Sequence, residues 1–375
     1  MPFSFSFSGD DIDIDPGLQV SSGPQENQLQ PQTFEHRTSE ASAFPIPGKP
    51  QLPPMQHGLD SMLSSMPSKI AYSILDVCLD DGQTLKLPRR ELWDVRVQLM
   101  AEAENEEGCL DGELGDHDVK TGVYEGGFKS WESSVDLVKV LSAESHPNSW
   151  QNKSARIIEL GCGTALPSLA MFQWTMAKTA SNSNHQSFSF ILADYNPSVL
   201  RLVTLPNFIL SWALYHQHTL PALQDAFSLE GELELNPDVL DGFCTYLSSR
   251  DFHFSFLSGG WSPDFIELLY SLPHASIRGK PDAPSLSLLL GAETIYSPFA
   301  LQSFTEIVWS VLKREARIFS ADASVWVAAK KLYFGVGGSL DDFVMNMQTR
   351  GAVVATLRQE TEGVRRGVVC CFRSK

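Results

Sequence analysis

The chain has 375 residues, 43% hydrophobic and 19% charged, with a formal net charge of −17. That length allows one large domain with appendages or two small ones. The negative charge repels phosphate backbones, which argues against direct nucleic-acid binding and would attract a basic protein.

No stretch approaches the about 20 uninterrupted apolar residues of a membrane span, and the start lacks the basic head and apolar core of a secretion signal. The six cysteines form no CxxC pair and no zinc spacing, so no metal site is expected. They fit a reducing compartment, and cytoplasm and nucleus are the expected location.

Residues 1–68 are rich in Pro, Ser, Gln and Gly, and PIPGKPQLPP (45–54) is a linker composition. Most of this region is expected to be disordered. Within it FSFSFS (3–8) alternates with the period of a strand; it either docks on a sheet edge or is an aromatic tail. Residues 69–120 read as an N-terminal extension. IAYSILDV and LKLPRREL are short strands about the turn DDGQ, and ELWDVRVQLMAE is helical. The run 101–118 carries Glu102, Glu104, Glu106, Glu107, Asp111, Glu113, Asp116 and Asp118 without one Lys or Arg. Such a run is ordinarily a solvated loop; the alternative is capture of a basic substrate.

Residues 121–375 are expected to be the main domain. SVDLVKVL is a helix, SARIIEL a strand, LPSLAMFQWTMAK a helix and FSFILAD a strand. PSVLRLVTLPNFILSWALYH is a long helix interrupted near Pro206. The acidic segment at about 219–250 reads as an insertion. Then come the strands FHFSFLS and LSLLLGA, the helix PFALQSFTEIVWSVLKR, the strand SVWVAAK, the helix LDDFVMNMQTR, and a closing pair, VVATLRQE and GVVCCFRS. Strands separated by helices, then a hairpin-like pair, predict an α/β sheet wound on both faces, with ligand loops at the carboxyl ends of the strands.

The chemistry-bearing stretches sit at those strand ends. IIELGCGTALPS (157–168) is strand, glycine turn and helix, suited to close approach of a ligand to backbone amides. A dinucleotide fingerprint would need glycine at Leu166, which counts against a nicotinamide dehydrogenase. Its E-x-G-x-G pattern resembles the first motif of class I S-adenosylmethionine-dependent methyltransferases. ILADYNPS ends its strand at Asp194, placed to accept from ribose hydroxyls, while Asn196-Pro197 supplies the next helix cap. In FLSGGW the glycines allow close approach to a base, and Trp261 is either a stacking face or a core residue. LLLGAETIYSP delivers Glu293 and Tyr296 toward a second substrate, unless it is only a solvated turn. KKLYFGVGG is an aromatic-glycine loop that walls an acceptor pocket or merely turns the chain. His216 and His218, two apart on a helix, face different ways and are assigned to the surface.

GVYEGGFKSWESSVDL, ELGCGTALPS, DYNPSVLRLVTLPN, SGGW, ETIYSP and KKLYFGVGG occur in this order. Together they resemble the histidine protein methyltransferase family over roughly 120–375, and weakly in the FSFSF start. The resemblance implies a Rossmann-like, seven-stranded class I methyltransferase sheet, S-adenosyl-L-methionine as cofactor, and a protein histidine as acceptor. The implied acceptor is in the third large-subunit ribosomal protein, and a monomer is expected. Carried over by motif, Ser130, Trp131, Glu132, Ser133, Ser134, Gly161, Gly163, Ala193, Asp194, Tyr195, Gly259, Gly260, Trp261 and Ala292 line the cofactor. Gly260 stands where the family commonly has Asp, and Ala292 where it has Ser.

In that fold a helix precedes the first strand and covers the cofactor. Gly126-Gly127 lets the chain turn sharply beside the ligand, and Ser130 or Ser133 caps the helix, Ser133-x-x-Asp136 fitting a capping box. Trp131 then shields the sulfonium and Glu132 meets the methionine moiety, unless the pair is an ordinary core indole and first-turn acid. Glu293 is expected to accept the acceptor ring's N–H, with Tyr296, Tyr333, Phe334 and Gly335 framing the ring. Two alternatives share the scaffold. ETIY resembles the E/D-x-x-Y signature of the sister lysine methyltransferases, and a non-catalytic chaperone of the ribosomal protein would keep a vestigial site.

Overall fold

The computed structural model describes residues 50–106, 126–150, 153–181, 186–272, 285–318, 322–333 and 337–373. FSFSFS and most of the acidic run (107–118) lie outside them. In chain order the elements begin with β1 (Met55–His57), α1 (Leu59–Ser64), β2 (Lys69–Cys78), β3 (Thr84–Arg90) and α2 (Leu92–Glu106). α3 (Glu132–Glu144), β4 (Ser154–Leu160), α4 (Leu166–Ser181) and β5 (Phe188–Asp194) follow. Then come α5 (Pro197–Val199), a π-helical turn (Leu200–Thr204), α6 (Leu205–His216), α7 (Pro221–Ala226), β6 (Glu232–Glu234) and α8 (Pro237–Ser249). The remainder is β7 (Phe252–Ser258), α9 (Pro263–Ser271), β8 (Ser285–Ala292), α10 (Pro298–Ile318), β9 (Asp322–Lys330), α11 (Leu340–Thr349), β10 (Ala352–Glu360) and β11 (Arg366–Arg373).

The main sheet runs β1-β7-β5-β4-β8-β9-β11-β10. The strands β7, β5, β4, β8 and β9 are parallel, and β10 and β11 form the expected antiparallel hairpin. From β4 the chain builds outward through β5 to β7, then returns to the other side at β8. That reversal is a switch point, and the crevice at its carboxyl ends is where such sheets bind ligands.

Alternation along the central strands divides the core. Ile157, Phe190 and Leu288 enter one cluster, while their neighbours Ile158, Ile191 and Leu289 enter the other. The F-x-F pattern of β5 meets that of β7 in register: Phe188 pairs with Phe252 and Phe190 with Phe254. The rings of the second pair stack at 5.2 Å and those of the first at 5.4 Å. Aromatic pairs of this kind add to stability beyond their buried area.

Three readings change. First, part of the 1–68 region expected to be mostly disordered is structured: β1 pairs antiparallel with β7 and extends the seven strands to eight. The edge of β7 carries backbone groups that need partners, and β1 supplies them along Phe256–Ser258. Second, the 219–250 segment is built into the extension, because β6 pairs with β2 to complete the sheet β3-β2-β6.

Third, the long helix is continuous from Pro197 to His216, 20 residues with 78% of its most apolar window buried. It is long and apolar enough to cross a membrane, but it is a core helix here. Pro206 has no N–H to give the carbonyl of Leu202, four residues back. The helix widens to a π turn just ahead of it, and Arg90 Nη1 donates to Leu202 O instead at 2.9 Å. Arg90 also bonds Asp94 at 2.6 Å and Gln98 at 2.8 Å, and Glu102 of α2 holds Arg201 bidentately at 2.7 and 2.8 Å. Glu102 thus belongs to a clamp between α2 and the long helix rather than to a solvated loop.

Candidate active site

A cavity opens at the switch point. The segment entering α3 contributes Gly126, Gly127, Lys129, Trp131 and Ser134. β4 and its turn give Glu159, Gly161, Cys162, Gly163, Thr164 and Leu166. Asp194, Tyr195 and Val199 follow β5, Trp261 follows β7, and Ala292, Glu293, Thr294 and Tyr296 close the wall from β8.

Gly163 has φ +51°, and a Cβ there would lie 3.1 Å from the carbonyl of Gly127. The two glycine segments therefore meet closely, which is the steric reason for glycine at 163, while at 127 a Cβ would instead meet Val199 Cγ2 at 2.6 Å. The turn is then tied down on all sides. Gly163 N–H donates to Asp194 Oδ2 at 3.0 Å, and Thr204 Oγ1 donates to Gly163 O at 2.7 Å. Asn207 Nδ2 donates to Thr164 O at 3.0 Å while its Oδ1 accepts the Arg90 N–H at 2.8 Å. The extension is thereby linked to the turn through one amide.

Three carboxyl groups face or flank the cavity. Burial pushes Glu159 up to about 8, although it accepts the Ser168 N–H in the first turn of α4 at 3.0 Å. Burial also pushes Asp194 up to about 6, against the pull of amide donors from Asn196, Gly163 and Tyr195. Glu293 has φ +58°, an uncommon backbone for a residue with a side chain. The hydroxyls of Ser133 and Tyr333 donate to its two oxygens. Burial raises the Glu293 carboxyl, opposed by those two donors and then by the charges of Lys330 and Arg366. Lys330 Nζ lies 5.4 Å from the centre of the Trp131 ring and 5.6 Å from that of Tyr333.

The wall fits S-adenosylmethionine. Buried carboxyl groups suit a ligand carrying sulfonium and ammonium charge. Tyr195 Oη, Trp261 Nε1 and Thr294 Oγ1 are buried polar atoms with no hydrogen-bond partner among the described residues, leaving donors and acceptors for a nucleoside. The Tyr195 and Trp261 rings lie 4.2 Å apart and 30° from coplanar.

Of the residues expected from sequence, Trp131, Ser134, Gly161, Gly163, Asp194, Tyr195, Trp261, Ala292, Glu293 and Tyr296 share this cavity. Others do not. Glu132 turns outward to Arg366 at 2.6 Å, and Ser130 bonds Thr164 at 3.1 Å. Ser133 lies behind Glu293, as does Tyr333. Neither Ser130 nor Ser133 caps α3: its N-cap is Trp131, without a side-chain bond, and Asp136 is taken by Arg366 at 2.8 Å. Ala193 is in the core, and Gly259 and Gly260 lie under residues 51–54, outside the set that lines the cavity. Phe334 and Gly335 lie outside the described residues. Among residues the motifs did not single out, Cys162 and Thr164 were readable as the rest of the glycine turn. Val199 and Lys129 had no local signal, since only packing brings them to the wall.

This strand order and this acid-rimmed, glycine-floored cavity define a class I, S-adenosylmethionine-dependent methyltransferase. No family model matches the chain. Histidine protein methyltransferase 1 of Saccharomyces cerevisiae is 32% identical over 100% of this chain and 99% of its own length. The protein of that name from Schizosaccharomyces pombe is 32% identical over 77% of this chain and 76% of its own. A homologue from Rattus norvegicus is 28% identical over 66% of this chain and 57% of its own. Among solved structures, the N-terminal domain of human METTL16 in complex with SAH aligns over 80% of this chain and 89% of that one, at 10% identity and a TM-score of 0.33. The chain belongs to the histidine protein methyltransferase family.

Proposed function

We propose that this protein-histidine methyltransferase modifies one ring nitrogen of a histidine in a basic ribosomal protein, and that Glu293 selects the nitrogen. The observation behind this is Glu293 itself: a buried carboxyl at the end of β8, held by Ser133 and Tyr333, on the wall of the same cavity as Trp131 and the glycine turn.

Bound S-adenosylmethionine supplies an activated methyl group on a positively charged sulfur. What the protein must add is alignment, worth about 7–11 kcal/mol in the best cases. Histidine suits this. With a pKa near 6.5 its ring is mostly neutral at pH 7, one nitrogen bearing a lone pair and the other an N–H. Each carboxylate oxygen bonded by Ser133 or Tyr333 keeps a second acceptor direction. Glu293 accepts the ring N–H there, which turns the other nitrogen toward the donor. As the ring becomes cationic, the carboxylate offsets the charge and then takes the N–H proton. Its raised affinity for protons, from burial, suits that second role.

The third large-subunit ribosomal protein, implied by the family resemblance, is the proposed acceptor, met as a free basic protein by a monomeric enzyme in cytoplasm and nucleus. A net charge of −17 supports such a partner. The test is incubation of the enzyme and labelled cofactor with ribosomal proteins from cells lacking it, then mapping of the label. A single labelled histidine in that protein is the expected result. Label on lysine, or on no ribosomal protein, would sink the proposal.

A further inference from the structure

Residues 51–57 cross the carboxyl end of β7 as a strap. The Gly260 N–H donates to Leu52 O at 2.8 Å, Met55–His57 pairs antiparallel with β7, and His57 Nε2 meets Ser258 Oγ at 2.7 Å. The strap needs both glycines of SGGW. A Cβ on Gly259 would collide with Pro53 O, and one on Gly260 would lie 2.5 Å from Gln51 Oε1 and 2.7 Å from Gln51 Cβ. The Gln51 side chain therefore occupies the space that a side chain at 260 would take. Its Nε2 is buried with no hydrogen-bond partner among the described residues.

The cavity has a direction. Glu293 marks the reacting end at β8, and Asp194 at the end of β5 is the acid placed for ribose. Continuing from β8 through β4 and β5, the next strand is β7. A nucleoside whose sulfur lies toward β8 and whose ribose lies at Asp194 extends its base toward the end of β7. There Trp261, the neighbour of Gly260, forms the wall. A carboxamide carries one acceptor and one donor in a plane, the pattern that matches the amino group and adjoining ring nitrogen of adenine.

We propose that Gln51, carried in by the strap, is the adenine-reading residue of this enzyme: Oε1 accepts from the 6-amino group and the unpartnered Nε2 donates to N7, an edge on which hypoxanthine offers two acceptors. The assignment rests on the methyltransferase reading and adds a specificity residue from outside the seven-stranded domain. Specificity for the base then depends on a segment of linker-like composition.

The experiment is calorimetric titration of the full chain with S-adenosylhomocysteine and with S-inosylhomocysteine, in which a carbonyl replaces the amino group. The wild type is expected to prefer the adenosyl ligand by about 10- to 100-fold. Gln51→Met, which keeps bulk under the strap, and Gln51→Ala should both shrink that preference to about threefold or less, mainly by weakening the adenosyl ligand. If Gln51→Met keeps the wild-type preference, or the wild type shows none, Gln51 does not read the base. If the wild type binds neither ligand, the cofactor reading itself fails.

Discussion

Ser133 in α3 donates its hydroxyl to Glu293 at the end of β8, across 160 residues of chain, and Tyr333 completes the pair from beyond β9. Helix α3 and the Glu293 carboxyl on the cavity wall are thus one unit. Arg366 of β11 extends it, bonding Glu132 and Asp136 on the same helix.

Both hydroxyls favour the ionised form of Glu293, whose carboxyl is raised by burial. Removing either donor raises it further, so more of the enzyme is protonated on the acid side. Ser133→Ala and Tyr333→Phe should move the acid limb of the kcat/KM profile to higher pH. Glu293→Gln should remove the Glu293 contribution to the limb, leaving that of the acceptor imidazole, and lower kcat by about 100-fold or more. A pH–rate series on the four proteins checks this; an unmoved limb in both hydroxyl variants would separate Glu293 from catalysis.

Cofactor binding should release protons. Glu159 at about 8 and Asp194 at about 6 are raised in the folded protein by burial, so at low pH they are neutral. A cationic ligand favours their charged forms and lowers both values. The dissociation constant for S-adenosylmethionine should therefore fall as pH rises between about 6 and 8. Titration calorimetry in two buffers of different ionisation enthalpy measures the protons directly; proton uptake would contradict the sign.

The packing of the Gly126-Gly127 segment against Val199 can be disturbed by one methyl group. Gly127→Ala would place its Cβ 2.6 Å from Val199 Cγ2, at the edge of the cavity. The expected effect is a loss of cofactor affinity of about tenfold or more, with about 1–3 kcal/mol of stability lost to overpacking. Affinity and a denaturant curve on the same sample separate the two; unchanged affinity would mean the segment does not frame the ligand.

A buried ion pair stands apart from the site. Arg156 Nη1 meets Glu315 Oε1 at 2.7 Å, with Glu315 wholly buried, Ser287 donating to Oε2 at 2.5 Å and Tyr270 to Oε1 at 2.9 Å. Glu315→Ala removes the buried carboxylate shared by Arg156, Ser287 and Tyr270 and should cost about 3–5 kcal/mol. The shift in urea midpoint measures this. Cofactor affinity at low temperature should be unchanged, since none of these side chains lines the cavity.

Much of the site was legible because its residues lie in short local patterns at strand ends. Gly161, Gly163, Asp194, Trp261 and Glu293 each follow an apolar strand directly, and a parallel sheet gathers such ends on one edge. The errors came where a side chain had a choice of direction. Glu132 and Ser133 are adjacent in α3 and so point about 100° apart. One reaches Arg366 and the other Glu293, and nothing local to SWESS decides which. Residues 45–54 read as linker by composition within a region expected to be mostly disordered, because the backbone partners of Leu52 and of Met55–His57 lie in β7 and the loop after it.

By itself, the sequence determined the α/β alternation, the parallel central strands and the set of strand ends that meet at the cavity, because hydrophobic periodicity and glycine placement act over a few residues. Tertiary structure alone decided which of the candidate side chains turn inward, that Gln51 fills the space at Gly260, and that Asn207 couples the extension to the glycine turn. Those outcomes depend on hydrogen bonds and contacts between segments far apart in the chain, whose energies no local pattern records.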